Sequence, residues 1–178
     1  MSQEEVGALT NMIEPRGKGF IIVAKVDADH ATNTVTRRSR TGFFVWVNCA
    51  LVYWMSKKQA SVETSSFGSE FIAMKQCCEY IRGLRYKLLR MGIPCKGPAY
   101  IYGDNQLVLA NATIPESVLK KKCHSVAYHY IREGCAHDEW RLAYCNMNDN
   151  KADLLTKFLP YGEKRKKFVK SLIHHVYE

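Results

Sequence analysis

Hydrophobic positions along the chain change period twice, and the changes mark out elements. Residues 18–27 (KGFIIVAKVD) form an apolar run too short for a helix, ending on a carboxylate. Residues 42–47 (GFFVWV) and 50–55 (ALVYWM) are rich in β-branched and aromatic side chains and flank Asn48-Cys49. That pattern predicts strand, tight turn, strand, and the three runs together predict an antiparallel meander. Phe67, Phe71, Met74, Cys78, Ile81, Arg85 and Leu88 then step by three and four, all apolar but Arg85. This predicts one long amphipathic helix, started by Ser65-Ser66 and stopped by Gly92 and Pro94.

A short strand is expected at 99–103 (AYIYG), with Asp104 opening a short helix that runs to about Ala112. Leu119, Cys123, Val126 and Tyr130 mark a third helix ending near Gly134, and 139–145 (EWRLAYC) alternates as a strand. A short helix follows over Asn150–Phe158, closed by Pro160, and Phe168, Val169, Leu172, Ile173 and Val176 stripe a last one. The order βββ-α-β-α-α-β-α-α implies an α/β fold whose mixed five-stranded sheet, three antiparallel strands first, is flanked by helices.

The chain has 178 residues, which suits one domain. It divides into a tail over 1–17, a main domain over 18–160 and a basic amphipathic helix over 161–178. At 47% hydrophobic it can bury a core, which excludes general disorder. The longest apolar stretch, Gly42 to Met55, is broken by Asn48 and falls short of the roughly 20 residues a bilayer span needs. The first residues are polar and acidic, unlike a secretory signal, so an intracellular, non-membrane protein is expected, in a cytoplasmic particle or the nucleus. The odd count of seven cysteines, with no Cys-x-x-Cys pair, reads as reduced thiols. A net charge of +9 predicts an anionic partner, nucleic acid first.

Acids are scarce, so their positions carry information. Asp27 ends the first strand, Asp104 ends the 99–103 strand, Glu70 falls in the expected first turn of the long helix, and Asp153 sits beside Ala152, Leu154 and Leu155. Each has an ordinary alternative. Asp104 suits a helix N-cap, Glu70 a helix-dipole carboxylate, Asp153 a solvated helix face, and Asp29 rivals Asp27 two residues on. Brought together, four carboxylates would repel unless hard divalent cations neutralised them. Two such ions about 3.5–4 Å apart support in-line attack on a phosphodiester.

Seven segments, in order, carry a resemblance: VDADHA (26–31), RRSRTG (37–42), WMSKKQ (54–59), TSSFGSEFIAM (64–74), IYGDNQ (101–106), YHYIRE (128–133) and KADLLTKFL (151–159). Together they resemble the ribonuclease H domain of Ty1/copia-type retrotransposon polyproteins, over roughly residues 20–160. The resemblance implies a ribonuclease H-like fold and an endonuclease that cuts the RNA strand of RNA–DNA hybrids. It assigns Asp27, rather than Asp29, together with Glu70, Asp104 and Asp153 as catalytic and metal-binding acids for two Mg²⁺ ions, with Mn²⁺ as a substitute. It also implies a reverse transcriptase domain of the same polyprotein as a partner. The chain departs from the family at Phe67-Gly68-Ser69, after Asp29, and at Phe158, where a proline is usual.

Substrate contacts are expected from Asn105 and Gln106, which follow Asp104, and from Thr64, Ser65 and Ser66 ahead of Glu70. Lys57, Lys58 and Gln59 at the end of the third strand are expected to reach phosphates. Helix capping by the Thr64–Ser66 group and a solvated strand end at Lys57-Lys58 are the structural alternatives. A hybrid-binding module with weakened catalysis, and a nuclease of the same fold with another nucleic-acid substrate, remain the competing functions.

Overall fold

The computed structural model describes residues 19–117 and 122–172. The expected N-terminal tail, Leu119, Ile173 and Val176 lie outside the described residues. Three strands come first: β1 (Ile22–Asp29), β2 (Arg40–Val47) and β3 (Ala50–Lys58). There follow α1 (Ser66–Arg90), β4 (Ala99–Gly103), α2 (Gln106–Thr113), a 3₁₀ turn (Lys122–His124) and α3 (Ser125–Ala136). The chain continues through β5 (Trp140–Tyr144), α4 (Asp153–Thr156) and α5 (Glu163–Leu172). The element order matches the one expected from the pattern.

The strands form one sheet in the order β3-β2-β1-β4-β5. β1 and β2 pair antiparallel, as do β2 and β3, whereas β1 pairs parallel with β4 and β4 with β5. The hairpin turns at Asn48, whose φ of 54° is the left-handed conformation that a two-residue turn requires. Edge strand β3 turns Leu51, Tyr53 and Met55 partly inward and leaves Val52 and Trp54 exposed, the alternation of a strand with one wet face.

Side chains alternate across β1, and this places the site. Ile22, Ala24, Val26 and Ala28 join the core built with Phe71, Met74, Cys78 and Ile81 of α1. Asp27 consequently points to the opposite face, where α4 lies. Gly42, opposite Asp27 in register, lets α4 approach this closely. A Cβ there would meet Thr156 Cγ2 at 2.6 Å and Leu155 Cβ at 2.7 Å.

Several expectations need correction. α3 was expected to bury Val126, yet Val126 is 74% exposed, and Ala127, Tyr128, Ile131 and Gly134 face the core. The helix begins only at Ser125, after a 3₁₀ turn, so the stripe counted from Leu119 is out of phase with it. The helix expected over 150–158 is a single turn, Asp153–Thr156. On α5 Phe168 is buried but Val169 is 38% exposed. Trp140 of β5 is fully buried against α3, and its indole N–H donates to Ile131 O at 3.0 Å.

Candidate active site

Asp27 sits near the C-terminal end of β1, and Asp104 directly follows the adjacent parallel strand β4. Open α/β sheets collect their ligands at the carboxyl ends of such strands. Asp153 begins α4, whose approach is fixed by Asn150. The buried Asn150 amide donates to Val26 O at 2.9 Å, and its carbonyl oxygen accepts from Ala152 N–H at 3.2 Å. Lys25 adds a bond to Asp149 O at 2.7 Å, so the segment before α4 is held against β1 at two points.

The result is a cluster in which single carboxylate oxygens of Asp27, Asp104 and Asp153 all lie within 4.8 Å of one another. Among the described residues this is the one group of three or more His, Cys, Asp or Glu with metal-ligating proximity. Asp27 and Asp153 are almost fully buried, at 0% and 1% exposed, and Asp104 is partly exposed. Glu70 lies outside that threesome but beside it, accepting the Ala28 N–H and feeling the charges of Asp27 and Asp104. It sits past the first turn of α1, which holds no acid, so the helix-dipole alternative fails. Nor does Asp104 cap α2. Asn105 does, its side-chain oxygen accepting from Leu107 and Val108 N–H at 3.1 and 3.2 Å.

Burial is the main electrostatic influence. It pushes Asp27 up to about 6, with Asp104 and Asp153 adding to it while Lys157 and the Thr156 hydroxyl oppose it. It pushes Glu70 up to about 9, helped by Asp27 and Asp104. Two lysines outside the expected site residues, Lys157 and Lys164, supply positive charge; Lys164 belongs to the basic run 164–167, where a solvated helix face or a phosphate contact is the expectation. Lys157 reaches Asp153 at 2.7 Å and Asp27 at 3.3 Å, and Lys164 of α5 reaches the other Asp153 oxygen at 2.6 Å. Burial pulls the Lys157 ammonium down, but Asp27 and Asp153 outweigh it and hold it above its ordinary value. The Thr156 hydroxyl donates to Asp27 Oδ2. The spacing of Lys157 from Asp153, four residues on one helical turn, is the one sequence signal that pointed to it.

The expected substrate residues divide. Lys57 and Lys58 are exposed at the end of β3, opposite Thr41 and Arg40. Gln106 and Thr64 are exposed, as is Ser66, while Ser65 caps α1 by accepting from Gly68 N–H at 3.3 Å. Gln59 corrects the expectation. It is 1% exposed, and its amide donates to Thr41 Oγ1 at 3.0 Å and Ser69 O at 2.8 Å, tying the end of β3 to β2 and α1.

An all-oxygen, largely buried and mutually repulsive donor set suits a hard divalent cation, and its carboxylates already draw in two ammonium groups. The fold carrying this cluster is ribonuclease H-like. It matches LC11-RNase H1, solved in complex with an RNA/DNA hybrid, with a TM-score of 0.59 at 14% identity, covering 76% of this chain and 93% of that one. The N-terminal RNase H domain of a Mycobacterium tuberculosis protein matches with a TM-score of 0.59 at 13% identity, covering 87% of this chain and all of that one.

The particular relatives are copia-type retrotransposon polyproteins. The chain is 29% identical over 144 residues to the retrovirus-related Pol polyprotein from transposon TNT 1-94 of Nicotiana tabacum, covering 81% of this chain. It is 28% identical over 142 residues to that from transposon RE2 of Arabidopsis thaliana, covering 80%. The chain spans 11% and 10% of the length of these relatives. No family model matches it. No helix among the described residues is long and apolar enough to cross a membrane.

Proposed function

We propose that this chain is a divalent-metal-dependent endonuclease that hydrolyses the RNA strand of RNA–DNA hybrids, as the ribonuclease H part of a copia-type retroelement. The convergence of Asp27, Asp104 and Asp153 carries this reading, because it puts three carboxylates from distant segments at one end of the parallel strands. Asp27, Asp104 and Asp153, with Glu70 beside them, are the residues that would hold Mg²⁺ or Mn²⁺. Bound there, such cations activate water and neutralise charge at a scissile phosphate.

The chain's own residues do the positioning. Asn150 and Gly42 seat α4 so that Asp153 meets Asp27. The Thr156 hydroxyl fixes one oxygen of Asp27. Lys157 and Lys164 keep the acids neutralised before cation and substrate arrive. Gln106, Lys57 and Lys58 are exposed near the cluster and suit contacts to ribose and phosphate, with Thr64 and Ser66 on the α1 side. Asn105 and Ser65 act first as caps that hold Asp104 and the start of α1 in place. Within a longer polyprotein the natural partner is a reverse transcriptase domain, and the setting is an intracellular particle or the nucleus.

The two lysines on Asp153 favour a second reading, a module that binds hybrid without turnover. One substrate panel separates the readings. A hybrid labelled on its RNA strand should be cut in Mg²⁺ while the all-DNA duplex stays intact. Equal cutting of the all-DNA duplex refutes recognition of the 2′-OH, and hybrid binding without cleavage in either Mg²⁺ or Mn²⁺ assigns the second reading.

A further inference from the structure

The ends of β2 and β3 hold a second feature beside the acid cluster. A cavity of about 580 Å³ opens there, lined by Arg38, Arg40, Lys58 and Lys157, with Asp29 as its one carboxylate and Phe158 at its side. Arg38 and Lys58 are exposed, and among the described residues no carboxylate pairs with Arg38, Arg40 or Lys58. Arg40 is fixed in place. It donates to Ser56 Oγ at 3.1 Å, which in turn donates to Leu155 O at 2.6 Å, tying the cavity wall to α4. Arg40 lies opposite Asp29 in strand register, two positions along β1 from Asp27, and Thr156 and Lys157 line the cavity as well, so it adjoins the acid cluster.

Unpaired cations gathered at a concave wall repel one another, and they suit a ligand carrying several oxygen acceptors. A phosphate diester matches the guanidinium fork of Arg and the point charge of Lys. Phe158 adds a separate element. It is 92% exposed, so its ring contributes nothing to the core, and it stands where a nucleotide seated on those cations would present a sugar or base.

We propose that Arg38, Arg40, Lys58 and Phe158 form a nucleotide subsite that grips the strand next to the cut, phosphate on the cations and base or sugar on the ring. It rests on the hybrid-nuclease reading above and adds to it where the strand is held.

The test is fluorescence anisotropy of a labelled RNA–DNA hybrid against salt, with divalent ions chelated so that nothing is cut. Arg38→Gln/Arg40→Gln/Lys58→Gln should weaken binding roughly tenfold or more near 0.1 M salt and reduce the slope of log K against log salt by about 2–3. Phe158→Ala should weaken binding about fivefold or more with the slope unchanged. Lys87→Gln/Arg90→Gln/Lys96→Gln removes the same charge at exposed positions elsewhere and should cost less than about threefold. The double variant Arg38→Gln/Lys58→Gln, at two exposed positions, carries the test if the triple variant folds poorly. Wild-type affinity and slope in the cavity variants overturn the subsite while leaving the nuclease reading intact. An equal loss in the control also overturns it, since charge anywhere would then suffice. A wild-type chain that binds no hybrid overturns both.

Discussion

Glu70 is the acid whose environment predicts the largest measurable effect on stability. Burial, with the charges of Asp27 and Asp104, raises it from 4.5 to about 9 in the folded protein. Between those values the folded chain keeps a proton that the unfolded chain has released, so stability falls as pH rises. The loss begins above the unfolded value near 4.5 and is complete once the pH passes about 9. At about 1.4 kcal/mol per pH unit the full shift corresponds to roughly 6 kcal/mol. Glu70 is not fully enclosed, and water reaching the ionised carboxylate screens part of that, leaving about 3 kcal/mol.

Glu70→Gln keeps the shape and the acceptor for the Ala28 N–H but cannot ionise. Urea unfolding of the metal-free protein from pH 5 to 9 should therefore show the wild type losing about 3 kcal/mol more than the variant, or about 6–12 °C in Tm. Asp27, raised to about 6, contributes a smaller loss between pH 4 and 6 that both proteins share. Parallel pH profiles for the two proteins would refute the reasoning, because Glu70 would then be solvated and remote from the acids.

Two further outcomes follow from the same geometry. Lys164→Ala frees one oxygen of Asp153, so calorimetric titration of Mn²⁺ should show binding tightened about three- to tenfold, the equivalent of roughly 1 kcal/mol; weaker binding would make Lys164 a support of the site instead of a competitor. Gly134→Ala would place a Cβ 1.9 Å from Trp140 Cζ2, so it should destabilise the protein by about 1–3 kcal/mol in urea unfolding, and an unchanged midpoint would mean that Trp140 repacks freely.

Much of this was legible in the sequence because the strands and helices are written in local periodicity. The three opening strands, the Ser65 cap of α1 and the strand at 140–144 follow from patterns a few residues long. The acids were legible for a different reason, as polar residues placed where apolar elements end. What the sequence concealed depends on contacts across the chain. Lys157 meets Asp27 over a separation of 130 residues, and Asn150 meets Val26 over 124, distances at which no local rule operates. Adjacent polar residues are also interchangeable to a pattern. Asp104 and Asn105 both suit a cap, and only the backbone decides that Asn105 takes the role and leaves the Asp104 carboxylate to the cluster. Gln59 looked like part of a basic strand end because Lys57 and Lys58 precede it, but the end of β3 carries it inward, to hydrogen bonds with Thr41 and Ser69.

The central claim is that carboxylates at this strand end hold the cations for cutting RNA in a hybrid. Single-turnover cleavage of a hybrid labelled on its RNA strand, in Mg²⁺, tests it most directly when the wild type is run beside Asp104→Asn and Asp27→Asn. The account predicts cutting by the wild type and a loss of about a hundredfold or more in each variant, as expected when one charge-stabilising group is removed from the reacting centre. Cleavage by both variants at the wild-type rate would contradict it.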